Sequence, residues 1–224
     1  MTTNLVKNVV VEVEGGEGQP VVCIHGLAGS SNNWTPVLPS FEGMKVIRLD
    51  LPGSSRSDLP AEALSIDLYV DSIAAVLAEL RGANAHTVAH SMGTIVAQHL
   101  AVRHPELVKS LALLGPLIEL PEAGRAGMKA RAALCREKGL AGVQEVAGAI
   151  VKGATSAETK AQRPATLTLV RGKRHAADAG RICAELRGTR GCTCSRSRKN
   201  RRSDSARDGQ RRRCWPGCGC EGDG

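Results

Sequence analysis

Aromatic side chains are nearly missing from this sequence: two Trp, one Tyr and one Phe are all that 224 residues hold. Apolar residues still make up 42%, so a core can form, built from Val, Leu, Ile and Ala. No run of about 18 apolar residues occurs, which argues against a membrane-spanning helix. The start is polar and then strand-like. It lacks the basic head and apolar stretch of a secretory leader, so the expected location is cytoplasmic. Histidine is scarce as well. Of six, His25, His86, His90, His99 and His104 lie in the first half, and only His175 follows. No internal repeat is visible, and the length suits one domain.

The formal charge of +8 conceals two unlike segments. Residues 1–170 hold 15 Lys+Arg and 16 Asp+Glu, a net of −1, whereas residues 171–224 hold 15 and 6, a net of +9. Cysteine divides the same way: Cys23 and Cys135 lie in the first segment and the other six in the second. Composition breaks near Arg171, and the two segments require separate readings.

In the first segment, Val9–Val13 alternates like a strand, and Val21–Ile24 is a short apolar run suited to a strand buried on both faces. A Gly/Ser/Asn-rich loop over 26–33 precedes a short helix around Trp34–Phe41, and Lys45–Leu49 is the next strand. Ser65–Leu80 repeats apolar residues at helical spacing. His86–Ala89 reads as a strand, Met92–His104 as a helix stopped by Pro105, and Val108–Leu114 as a strand. Alternating strands and helices imply an α/β fold with a parallel sheet. Arg125–Lys138, Val143–Lys152 and Ala157–Val170 then read as three helices without an intervening strand, the pattern of an inserted lid. The expected organisation is a core over 1–116, a helical lid over 117–170 and a basic Cys/Arg/Gly-rich tail over 171–224.

The chemistry concentrates at Ala89-His90-Ser91-Met92-Gly93, where a strand runs into a helix. This is the nucleophile-elbow pattern G-x-S-x-G with Ala89 in the first glycine position. Small residues must flank the serine because its backbone is strained and neighbouring segments crowd it. The turn lifts Ser91 Oγ above the sheet at a helix N-terminus, where the dipole and free N–H groups favour an oxyanion. By itself A-x-S-x-G also arises by chance, and the strand-then-helix context gives it weight. A second motif, His25-Gly26-Leu27-Ala28-Gly29, follows a buried strand. Its backbone can bring the Leu27 N–H to join that of Met92 as an oxyanion pair. His25, Gly26, His90 and Gly93 shape the site, and His25 reads as a loop-fixing hydrogen bonder rather than a catalyst. Asp50-Leu51-Pro52-Gly53 is a structural turn after a strand.

H-G-L-A-G-S-S, D-L-P-G-S-S-R-S-D and A-H-S-M-G-T, in this order and spacing, resemble the α/β-hydrolase family over about residues 5–170. The lid segment, from Gly153-Ala154-Thr155-Ser156 through Arg163-Pro164-Ala165, resembles 3-oxoadipate enol-lactonase and related serine esterases and lactonases. The resemblance implies attack of Ser91 on an ester or lactone carbonyl, an acyl-enzyme, and release by water, with no cofactor or metal. Carbon–carbon-bond hydrolases and cofactor-free peroxidase-type relatives share the serine elbow and remain alternatives. Asp at the elbow marks dehalogenases and epoxide hydrolases, so Ser91 argues against both. The expected partner is a small-molecule ester or lactone, with no nucleic acid and no membrane.

The family order is Ser, acid, His. No strand-Asp-loop or strand-loop-His pattern follows Val170, and the position after strand Val108–Leu114 is Gly115-Pro116. A serine without its base is a weak nucleophile, so impaired activity, or none, is expected. Ile182, Leu186 and Trp215 are the only large apolar residues of the tail, too few to bury a core. A basic nucleic-acid-binding arm and a zinc module are two readings, though C-x-C…C-x-x-x-C-x-C lacks paired C-x-x-C spacing. The favoured reading is translation out of frame after one inserted base near Arg171–Gly172. Read one base late, Ser203–Pro216 can become P-T-L-L-V-T-G-N-D-D-A-V-G-P, a buried strand leading into an acidic loop. The C-terminal part of the fold is then expected to be missing or disordered, apart from a short helix near Ala176–Leu186.

Overall fold

The computed structural model describes residues 1–118, 122–164 and 167. Six strands form one mixed sheet in the order β1-β2-β4-β3-β5-β6. They span Thr2–Val6 (β1), Val9–Glu14 (β2), Pro20–Ile24 (β3), Lys45–Leu49 (β4), Ala85–His90 (β5) and Val108–Leu114 (β6). Strands β4, β3, β5 and β6 are mutually parallel, as the alternation of elements implies. The parallel strands are joined by an antiparallel pair at one edge. β1 and β2 form a hairpin, and β2 runs antiparallel to β4. The turn between them is Lys7-Asn8, both at positive φ, a two-residue hairpin connection whose twist matches the strands. β1 escaped the sequence reading because its pattern is mostly polar and its side chains are largely exposed.

Helix α1 spans Ile66–Glu79 and α2 spans Met92–Arg103. α1 starts where Ser65 accepts a hydrogen bond from the Leu68 N–H, and it buries Tyr69, Val70, Ile73, Val76 and Leu77. These side chains meet Val11, Val22, Ile24, Ile47 and Leu49 of the sheet in the main core. The helix expected around Trp34–Phe41 is a 3-10 helix over Ser31–Phe41. Pro36 and Pro39 inside it are incompatible with a longer α-helix. Its Trp34 packs with Val21, Cys23 and Val46 on the opposite face of the sheet.

Three helices follow the sheet: α3 over Glu122–Lys138, α4 over Leu140–Ala154 and α5 over Ala157–Gln162. The helix expected over Ala157–Val170 is interrupted at Arg163, which leaves helical geometry; Pro164 and Leu167 are helical again, and residues 165, 166 and 168–170 lie outside the described residues. The expectations for 171–224, including the short helix near Ala176–Leu186, also fall outside them. α3 and α4 share a small core of Ala132, Cys135, Val143 and Val146.

Charge is buried where β2 meets β4. Arg48, 1% exposed, pairs with Glu12 at 2.8 Å and with Glu14. Arg56 joins Glu12 at 2.9 Å and the fully buried Asp50 at 2.9 Å. Buried ions persist only when paired, and this cluster sets two cations among three carboxylates, although Arg48 Nε and Glu12 Oε2 make no hydrogen bond.

Cys23, on β3, is fully buried. Burial pushes its thiol from an ordinary value of 9.0 up to about 12, with the Arg48 guanidinium pulling weakly the other way. The folded state therefore holds this proton more tightly than the unfolded chain. The resulting stability is complete below the ordinary value and is lost as pH climbs toward the raised one. We expect Cys23→Ala to lose less stability than the parent between about pH 8 and about pH 10.5, read from urea midpoints.

Candidate active site

The strand order turns at β3, with β4 on one side and β5 on the other. Ligands of open α/β sheets bind outside the carboxyl ends of strands at such a switch. The register makes the meeting of loops specific. Ile24 of β3 pairs with Ala89 of β5, so the chain leaves both strands level. His25-Gly26 emerges beside His90-Ser91. The approach is close: a methyl placed on Gly26 would lie 2.9 Å from Ser91 Cβ and 3.0 Å from the His90 carbonyl oxygen. Only glycine tolerates this contact.

Ser91 is the cap residue of α2, with φ 54° and ψ −124°. A serine here is strained, and such strain persists only where the surroundings over-determine it. The Ser91 N–H donates to the Leu114 carbonyl at the end of β6, at 3.0 Å. Its carbonyl accepts from the Thr94 N–H at 2.9 Å and from Thr94 Oγ1 at 2.6 Å. Thr94 Oγ1 in turn accepts from the Leu117 N–H at 3.0 Å. The side chain makes no cap hydrogen bond. Gly93 lies in the first turn of α2, where a methyl would come within 2.6 Å of the His25 carbonyl and 2.7 Å of the Ile24 carbonyl. Ala89 is fully buried. Thr94 was missed as a site residue, although the motif A-H-S-M-G-T contains it, because its role is visible only once β6 is in place.

His25 is fully buried. Its Nε2 accepts the Leu51 N–H at 3.0 Å, so that nitrogen carries no proton. The proton sits on Nδ1, which donates to the Gly26 carbonyl at 2.7 Å. The same carbonyl accepts the Gly29 N–H at 3.0 Å and closes a tight turn with Leu27 and Ala28 at its centre. A peptide is planar, and no cis bond occurs here, so pinning the Gly26 carbonyl also fixes the Leu27 N–H on its opposite side. The two ring nitrogens of His25 thus join the loop after β3 to the loop after β4. Replacing His25 with Ala removes both bonds and leaves the Leu51 amide without its acceptor. We expect a loss of about 1–3 kcal/mol in thermal unfolding, with His25→Gln losing less.

The remaining histidines occupy other surroundings. His86 Nδ1 lies 2.7 Å from Ser110 Oγ on the sheet, and His104 lies 3.5 Å from Glu106. His99 is exposed on α2, His90 is exposed beside Ser91, and His175 falls outside the described residues. Among the described residues, no group of three or more His, Cys, Asp or Glu could hold a metal ion. No helix among them is long and apolar enough to cross a membrane.

A family model described as alpha/beta hydrolase fold matches residues 19–175. The chain belongs to the α/β-hydrolase family. Its curated relatives include several hydrolases and also the dihydrolipoyllysine-residue acetyltransferase component of an acetoin cleaving system from Pseudomonas putida, 36% identical over 104 residues and covering 46% of this chain and 28% of that protein. The chain is 32% identical over 120 residues to (E)-2-((N-methylformamido)methylene)succinate hydrolase of Acinetobacter baylyi, covering 53% of this chain and 46% of that protein. It is 36% identical over 107 residues to 2-hydroxymuconate semialdehyde hydrolase of Pseudomonas sp., covering 46% and 38%. The matched segment thus spans less than half the length of each of these relatives. Among solved structures, the enol-lactonase of Burkholderia xenovorans LB400 superposes with a TM-score of 0.75 at 19% identity, covering 84% of this chain and 71% of that one. That likeness is one of fold.

Proposed function

We propose that this α/β-hydrolase uses Ser91 as nucleophile on a carboxylic ester or enol-lactone. Residues 1–116 are its core and 117–170 its lid. The observation that carries this reading is the strained Ser91 at the head of α2, against the Gly26 turn. Ser91 Oγ attacks the carbonyl carbon, and the carbonyl electrons move onto oxygen. The N–H groups of Leu27 and Met92 receive that charge. Collapse expels the alkoxide or enolate and leaves an ester on Ser91, which water hydrolyses. The sequence requires no cofactor. Proton transfer is its weak point in this chain, because no strand-Asp-loop or strand-loop-His pattern follows Val170, where the family order places the acid and the histidine. Slow turnover follows, and a wholly inactive protein is the limiting case. The identity with 2-hydroxymuconate semialdehyde hydrolase supports a second reading, hydrolysis of a carbon–carbon bond by the same serine.

The test separates the nucleophile from turnover. An alkyl fluorophosphonate reacts once: the Ser91 oxygen bonds to phosphorus, fluoride leaves with its electron pair, and the serine proton passes to water. Mass spectrometry is expected to find the adduct on the peptide containing Ser91 and nowhere else. An adduct confined to other serines would refute the assignment. Product analysis with a phenyl ester, an enol-lactone and a vinylogous diketone then distinguishes C–O from C–C cleavage.

A further inference from the structure

Leu27 stands at two places at once. Its backbone lies in the Gly26–Gly29 turn beside Ser91, while its side chain packs against the core of the α3–α4 pair. Among the partly buried apolar residues packed on that core, Met128, Leu134 and Ile150 come from α3 and α4 themselves, and Leu27 alone comes from the sheet side.

We infer that the Leu27 side chain is a positioning residue through which the seating of α3 and α4 sets the oxyanion donor carried by the same residue. The inference rests on the proposed role of the Leu27 N–H. From below, His25 Nδ1 and the Gly29 N–H hold the Gly26 carbonyl. Ala28, next in the turn, is at φ 52°, a left-handed conformation that a non-glycine residue holds only under constraint. From above, the one apolar anchor of the turn is the lid core itself. Two hydrogen bonds therefore fix how the peptide is rotated, and the side chain fixes how far the turn leans toward the serine. A displaced lid leaves Ser91 intact but draws the donor away from the position of the developing oxyanion. A substrate that completes the lid core would do the reverse. Donor placement is sensitive, because a misplacement of about 1 Å can cost roughly 100-fold in rate.

The experiment follows phosphonylation of Ser91 in the full chain over a range of alkyl fluorophosphonate concentrations. Leu27→Ala keeps the N–H and removes the anchor. Val143→Ala opens the lid core and leaves every residue of the turn in place. Each is expected to lower the limiting rate about 10-fold while the half-saturating concentration stays nearly constant. The double variant is expected to react no more slowly than the slower single one, and Leu27→Met to recover most of the rate. Independent, multiplicative losses, or an unchanged limiting rate in Leu27→Ala, would overturn the coupling. If the parent forms no adduct at Ser91, the serine is inert for want of its base, and that result bears on the proposed function rather than on the coupling. Amide exchange then decides the latter. Val143→Ala is expected to speed exchange of the Leu27 amide several-fold, and an unchanged amide overturns the inference.

Discussion

Removing a single base near codon 172 is expected to raise ester turnover by roughly 10⁴-fold or more, the scale of restoring missing triad members. Several independent features converge on that codon. Net charge changes from −1 to +9 across Arg171, and six of eight cysteines lie beyond it. The family match stops at residue 175, just past the same point. Only His175 remains in the second half to serve as a base, and the family places its acid and histidine after the lid. Read one base late, the Arg-, Gly- and Cys-rich sequence over Ser203–Pro216 can become a strand leading to an acidic loop. The measurement compares the two gene products on a phenyl ester and an enol-lactone, with Ser91→Ala made in each. Equal rates in the two parents, both abolished by Ser91→Ala, would mean that the present chain holds a complete catalytic set.

The second large effect joins activity to stability in opposite directions. Ser91 sits at φ 54° and ψ −124°, a conformation that glycine adopts freely and serine does not. Ser91→Gly should therefore relieve strain and raise unfolding stability by about 1–2 kcal/mol. In the frame-restored chain it should also lower ester turnover by roughly 10⁴- to 10⁶-fold. Ser91→Ala serves as the control, since it removes the same hydroxyl but retains Cβ and the strain. A glycine variant no more stable than the alanine variant in urea would show that the elbow stores no strain.

Much of this architecture was legible because the informative residues are local. The apolar run of β3, the helical spacing in α1 and the proline ending α2 each act within a few residues. The elbow was legible for the same reason. Tertiary partners were not. Thr94 acquires its role from Leu117 and from its own reach to the Ser91 carbonyl, and the His25 proton is assigned by Leu51, which lies 26 residues away. β1 was invisible because a hairpin edge strand with few buried side chains carries almost no apolar alternation. The loop of Asp50 was read as a structural turn, but the Arg56 guanidinium and the Ser31 N–H that meet its carboxylate could not be named from spacing alone.

The buried charges between β2 and β4 also act as a proofreading device for assembly. Glu12 stands directly opposite Arg48 in the antiparallel ladder, with Val11 and Val13 on either side of it. A slip of one residue in either direction would set a valine against the guanidinium. It would also carry Glu12 to the other face of the sheet, among the aliphatic side chains beneath α1. Both charges would then be sealed from water without a partner, at a penalty of about 3–5 kcal/mol for breaking such a pair. Val, Leu and Ile pack almost interchangeably, so a core so poor in aromatic shapes offers little steric objection to a shifted strand. A slip of one residue is instead opposed by ions, which hold the N-terminal hairpin to the face on which its carboxylates meet Arg48.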